Sequence, residues 1–224
     1  MPKPAGKRLP AYWPTILLAA ILLALPVGPI NALAAEPGVY RVTGVVANDV
    51  LNVRSEPDAG AEIMGEFSSE ASRIEILEVT GSGATEWGRV LAADANGWVA
   101  MRFLEPEEVP LIAGTLVPVD LQCSGTEPFW DVKAGVDALE FKAIDVEPIS
   151  LPLTGTTTAI GRNNRFSLVA SDGARRMTAM LASGETCSDG MSDRDFGWRI
   201  DLLIEGAGDG PRQYEGCCRL PPLN

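Results

Sequence analysis

A period of two restricts the fold more than any other feature of this chain. Trp198-Arg199-Ile200-Asp201-Leu202 alternates apolar and charged side chains without a break, and Trp130-Asp131-Val132-Lys133, Leu139-Glu140-Phe141-Lys142 and Ile74-Glu75-Ile76 repeat the pattern. Successive side chains of an extended strand point to opposite faces, so such runs read as half-buried β-strands. Val39 to Val46, Leu51 to Arg54, Trp87 to Leu91, Gly97 to Met101, Phe166 to Ala170 and Met177 to Leu181 supply further candidates. Turn formers separate them: Ser55-Glu56-Pro57-Asp58-Ala59-Gly60, Gly81-Ser82-Gly83, Asp94-Ala95-Asn96-Gly97, and Asp172-Gly173, which reads as a tight hairpin. No amphipathic helix of useful length follows residue 115. The fold class is therefore all-β, with a small barrel over 38–105 and a second antiparallel β-barrel or sandwich over 115–224. The acidic, proline-bearing stretch Glu105-Pro106-Glu107-Glu108-Val109-Pro110 opens a short semi-extended linker, 106–114, between them.

The amino-terminal segment follows different rules. Lys3, Lys7 and Arg8 precede a short uncharged run, Thr15 to Val27, bounded by Pro14 and Pro26, and Ala32-Leu33-Ala34 then offers small residues at alternate positions. This is the grammar of a secretory signal peptide over 1–34, with Ala35 or Glu36 as the mature start. The run is shorter than the roughly 18–20 apolar residues a membrane span wants, so no stable span is expected after cleavage. The expected location is periplasmic or secreted.

Cysteine usage fits that compartment. Cys123, Cys187, Cys217 and Cys218 form an even set where disulfides persist. A bond between the neighbours Cys217 and Cys218 would close a strained ring. In an extended strand those two side chains face opposite ways, so each meets a different partner, Cys123 or Cys187. No pair of C-x₂₋₄-C knuckles is present, so no metal site is expected from the thiols.

Composition removes several kinds of chemistry. With 18 Lys+Arg against 30 Asp+Glu the formal charge is −12, which disfavours nucleic acid as a partner. The chain contains no histidine. A Ser-His-Asp triad, a Cys-His dyad and a His-ligated zinc site are therefore unavailable. Ser124 and Ser188 have no Ser-x-x-Lys motif to activate them. No cofactor is expected.

Leu51-Asn52-Val53-Arg54-Ser55-Glu56-Pro57, Ile63-Met64-Gly65-Glu66-Phe67, Ile74-Glu75-Ile76-Leu77, Trp87-Gly88-Arg89-Val90, Gly97-Trp98-Val99 and Phe103-Leu104 resemble, in order, the strands of a bacterial SH3-like (SH3b) domain. The resemblance implies a binding module that in exported proteins often recognises peptidoglycan or its stem peptides. Tyr40, Trp87 and Trp98 are the aromatic candidates for such a surface, each able to present an apolar face, with Trp98 also suited to the core. Arg54 reads as a structural ion-pairing residue.

Three clusters distinguish the second module: Cys123-Ser124-Gly125-Thr126-Glu127-Pro128-Phe129-Trp130, Cys187-Ser188-Asp189-Gly190-Met191-Ser192-Asp193-Arg194 and Tyr214-Glu215-Gly216-Cys217-Cys218-Arg219. They resemble an uncharacterised exported or lipoprotein-borne bacterial β domain, a resemblance that implies fold and compartment but no activity. Asp189, Asp193 and Asp195 lack the EF-hand spacing, so Asp189-Gly190 reads as a turn and Arg194 as the partner of a carboxylate such as Glu127. Phe129-Trp130 reads as a core anchor. The functional expectation is a non-enzymatic envelope protein whose SH3b module binds peptidoglycan or another envelope protein. The alternative is a small-ligand-binding or enzyme-inhibiting barrel with its activity near Glu127 and Asp189.

Overall fold

The computed structural model describes residues 1, 2, 6, 35–92, 95–206 and 210–223. The proposed signal segment therefore lies, except for Met1, Pro2 and Gly6, outside the described residues. Leu33–Asn224 forms one compact unit, and nearly all its described regular structure is strand.

The strands β1 (Gly38–Val42), β2 (Val50–Arg54), β3 (Ile63–Ser68), β4 (Ile74–Thr80), β5 (Trp87–Leu91), β6 (Asn96–Ala100) and β7 (Leu104–Pro106) make one sheet in the order β3-β2-β6-β5-β4-β1-β7. Its alternation is that of a curled sheet with one packed face: Leu51, Val53, Ile74, Ile76, Val90 and Val99 are buried, while Glu75, Leu77, Arg89, Leu91 and Trp98 face outward.

Eight longer strands follow: β8 (Leu121–Thr126), β9 (Phe129–Ala134), β10 (Ala138–Ala143), β11 (Val146–Thr158), β12 (Arg165–Ser171), β13 (Arg176–Ser188), β14 (Asp195–Glu205) and β15 (Arg212–Arg219). Each pairs with the next in sequence, and β15 returns to β8, so the second module is a closed up-and-down barrel rather than a sandwich. An eight-stranded barrel is just wide enough for side chains to fill it. Leu121, Leu139, Leu151, Leu168, Met177 and Leu202 do so at no more than 1% exposure. Outward positions of β14 and β9, such as Arg199, Asp131 and Lys133, are polar.

The motif residues explain how one end of the barrel closes. Trp130 packs with Phe141 and Tyr214, ring centroids 5.1 to 6.1 Å apart. A Cβ on Gly125 would collide with the Trp130 indole, and one on Gly216 with the Ser124 carbonyl. Glycine at both positions lets the ring lie against β8 and β15. Trp130 is thus the core anchor, but Phe129 is not: it stands 54% exposed at the strand tip, because neighbours in a strand face opposite sides.

Disulfides join Cys123 to Cys218 and Cys187 to Cys217. Cys218 lies directly opposite Cys123 across the β15–β8 pair and belongs to the barrel core. Cys217 belongs instead to a small cluster with Cys187 and Phe196, against which Leu91 of β5 packs.

The stretch read as a semi-extended linker is packed down. Glu107 N–H donates to the Val39 carbonyl at 2.9 Å and the Glu107 carboxylate accepts from the Arg73 amide at 2.6 Å. Ile112 and Val117 are buried in the barrel core. The acidic and proline residues gave this stretch its linker appearance, while Ile112, two residues beyond Pro110, and the partly buried Val109 supply the burial that holds it.

Candidate binding site

β5 carries the outer face of the first module. Its alternation turns Trp87, Arg89 and Leu91 the same way. The Leu91 end meets the barrel, whereas Trp87, at the other end, lines a cleft of about 300 Å³ with Val46, Asp49, Arg54, Arg102 and Phe103. The Arg102 guanidinium stands 4.6 Å over the centre of the Phe103 ring. Arg54 donates from Nη1 to the Ala61 carbonyl at 2.6 Å, which fixes the guanidinium beside the cleft. Such a surface combines aromatic faces with fixed donors, so it can hold an extended chain bearing amides and a carboxylate. Trp98 is partly exposed, opposite Arg89 on β5 and Arg54 on β2.

Tyr40 does not join them. Its ring is buried in the core of the first module at 6% exposure, and its hydroxyl donates to the Glu36 carbonyl at 2.7 Å. A tyrosine in a short apolar strand can serve either use, and here the polar tip is satisfied by the chain a few residues upstream.

The remaining outer face is a seam with the barrel. Asn96 reads the backbone of Asp195 in both directions, accepting from its amide at 2.6 Å and donating to its carbonyl at 3.0 Å. Arg89 donates to the Asp195 carboxylate at 2.6 Å. Arg73 donates to the Val119 carbonyl at 3.1 Å, and Ser72 pairs with Leu223 by two backbone hydrogen bonds. Glu75 lies at the centre. Its carboxyl accepts from the Leu220 amide at 3.3 Å, bonds the Trp198 side chain, and sits where a Cβ on Gly197 would press. Burial pushes its pKa up to about 7, against the pull of those two hydrogen bonds.

The barrel's motif loops form a second hollow, about 460 Å³, lined by Glu127, Ser188, Asp189, Met191, Tyr214 and Glu215 among others. Glu127 is exposed in the β8–β9 turn, and Asp193 is exposed in the loop before β14. Asp189 organises that loop: its carboxylate accepts from the amides of Ser192 at 2.8 Å and Met191 at 3.0 Å and from the Ser192 hydroxyl at 2.8 Å. Burial works against its charge, but these donors and the charge of Arg194 outweigh it and hold the carboxyl below its usual range. Arg194 thus acts on Asp189, a residue of its own loop. Among the described residues no three His, Cys, Asp or Glu side chains converge to hold a metal ion.

The sequence pointed to Trp87 but not, as cleft residues, to Asp49, in the turn before β2, or to Arg102 and Phe103, on a single 3-10 turn (Met101–Phe103) too short to carry a periodic signal. Glu75 was hidden for another reason: an outward carboxylate in an alternating strand reads as solvated.

Residues 49–105 match the family model described as the bacterial SH3 domain. The first module is therefore a bacterial SH3-type domain, a class of module that typically binds rather than catalyses. The barrel lies outside that match. No curated protein and no solved structure matches the chain. Among the described residues no helix is long and apolar enough to cross a membrane.

Proposed function

We propose that this is an exported, non-enzymatic protein of the bacterial envelope, whose SH3-type module binds peptidoglycan or another envelope protein. The observation that carries this reading is the cleft at Trp87, on a module matching the bacterial SH3 domain, left clear of the face that docks on the barrel. The barrel acts as a rigid support, its interior filled and its wall cross-linked twice. The absence of histidine and the pairing of all four cysteines support a role in binding rather than bond-making.

Co-sedimentation with purified sacculi tests the wall-binding form. Wild type should be retained and Trp87→Ala released by at least about tenfold, the effect of losing a central aromatic contact. Wild type that fails to sediment rejects the wall as ligand, and equal retention of both forms rejects the cleft.

One observation favours a second reading, a ligand-binding or enzyme-inhibiting barrel: the hollow beside Glu127 and Asp189. A thermal-shift screen on the intact protein, together with muramidase inhibition assays, separates the two. A ligand or inhibitory effect lost in Glu127→Ala but kept in Trp87→Ala would favour the barrel.

A further inference from the structure

Glu86, one position before Trp87, is a charged residue buried at 9% exposure. Its two carboxyl oxygens have different partners. Oε1 accepts from the Gly83 amide at 3.2 Å within its own turn, and Oε2 accepts from the backbone nitrogen of Ala35 at 3.3 Å, 51 residues away in sequence. Ala35 is itself partly buried against the core of the SH3-type module, and the Tyr40 hydroxyl ties down the next residue through the Glu36 carbonyl. A carboxylate removed from water is costly unless it meets positive charge or several donors, and two neutral amides at 3.2 and 3.3 Å are modest partners.

The sequence places the small-residue pattern of a signal peptidase site immediately before Ala35. We propose that cleavage falls between Ala34 and Ala35, and that the α-ammonium released there docks on Glu86 as a buried ion pair. In that hydrolysis water is added across the peptide bond: Ala34 leaves with the new carboxylate, and the Ala35 nitrogen takes up protons to become an ammonium. The nitrogen already bonded to Glu86 thereby changes from a neutral donor into a cation without leaving its place. The lock then stands next to Trp87, so export would finish the binding module as well as release it. This inference rests on the exported reading given above.

The test is to export the full chain from a bacterial host, determine the mature mass, and compare melting of four forms. These are the exported protein, the chain from Ala35 bearing one extra alanine at its start, and each again with Glu86→Gln. The expected mass begins at Ala35. The extra residue should lower the melting temperature by about 2–4 °C, as loss of about 1 kcal/mol does in a chain of this size, and Glu86→Gln should abolish that difference. The α-amine should also titrate above the ~7.7–8.0 usual for a chain terminus, because the nearby carboxylate favours its charged form. An uncleaved mass would overturn export itself. A start other than Ala35 would overturn the site. A start at Ala35 with equal melting of extended and exact chains, or with an ordinary α-amine, would overturn the ion pair while leaving export intact.

Discussion

Single residues decide how closely strand backbones approach in this protein. Gly216 is the sharpest case: a methyl group there meets the Ser124 carbonyl, part of the β8 backbone, as well as the Trp130 ring. Gly216→Ala should therefore destabilise by about 1–3 kcal/mol, the usual penalty for overpacking, seen as a lower midpoint in urea with an unchanged slope. Asp189→Ala removes the acceptor of three hydrogen bonds within its loop. A loss of about 1–2 kcal/mol is expected, because the donors regain only water, and Asp189→Asn should recover part of it. The motif clusters drew attention to these segments, and Asp189-Gly190 read as a turn, but the approach of Gly216 to the Ser124 carbonyl carried no sequence signal. Tyr40 shows the limit of such reading. A tyrosine between Val39 and Arg41 offers the same sequence signal whether it serves a core or a ligand, and the distinction depends on the Glu36 carbonyl that its hydroxyl reaches.

At the scale of elements, the two disulfides should be unequal. Cys123–Cys218 spans 95 residues and Cys187–Cys217 spans 30. On the chain-entropy model the longer loop is worth nearly 5 kcal/mol and the shorter about 3–4 kcal/mol. Replacing each pair with alanine should rank them in that order by chemical denaturation, and a reversed order would contradict the model. Alternation made most strands legible, and the opposite facing of Cys217 and Cys218 followed from strand geometry alone. β11 was not legible, because Pro148 and Pro152 interrupt a strand that nevertheless buries Ile149 and Leu151 on alternate positions. Proline removes a ladder donor, and a sequence does not reveal where a bulge, such as the one between Leu153 and Gly155, absorbs the irregularity. Closure was equally hidden: whether eight strands make a barrel or a sandwich turns on the single pairing of β15 with β8.

The whole molecule behaves as two modules sharing one seam, and the seam has its own pH dependence. Glu75 has a folded pKa of about 7 against an ordinary 4.5, so between those values the native state holds more protons than the unfolded state. Its contribution is fully present below about pH 4.5 and is lost as pH rises through about 7. Asp120, Asp172 and Asp189 have lowered pKa values, so what they contribute is lost only as pH falls below the normal aspartate range. The chain has no histidine and every cysteine is bridged, and among the described carboxyls Glu75 is the one burial raises into the interval between. The melting temperature should fall from pH 5 to pH 7, and Glu75→Gln should flatten that slope; a wild-type melt independent of pH would contradict the buried carboxyl. The seam also fixes what the binding module can present, since Arg89, Leu91 and Asn96 face the barrel and Trp87 does not. A residue-resolved NMR titration of the intact protein with soluble peptidoglycan fragments tests that arrangement most directly. Shifts should concentrate at Val46, Arg54, Trp87 and Phe103, with the fragments recovered unchanged. Shifts confined to the barrel loops around Glu127 and Asp189, or cleavage of the fragments, would contradict it.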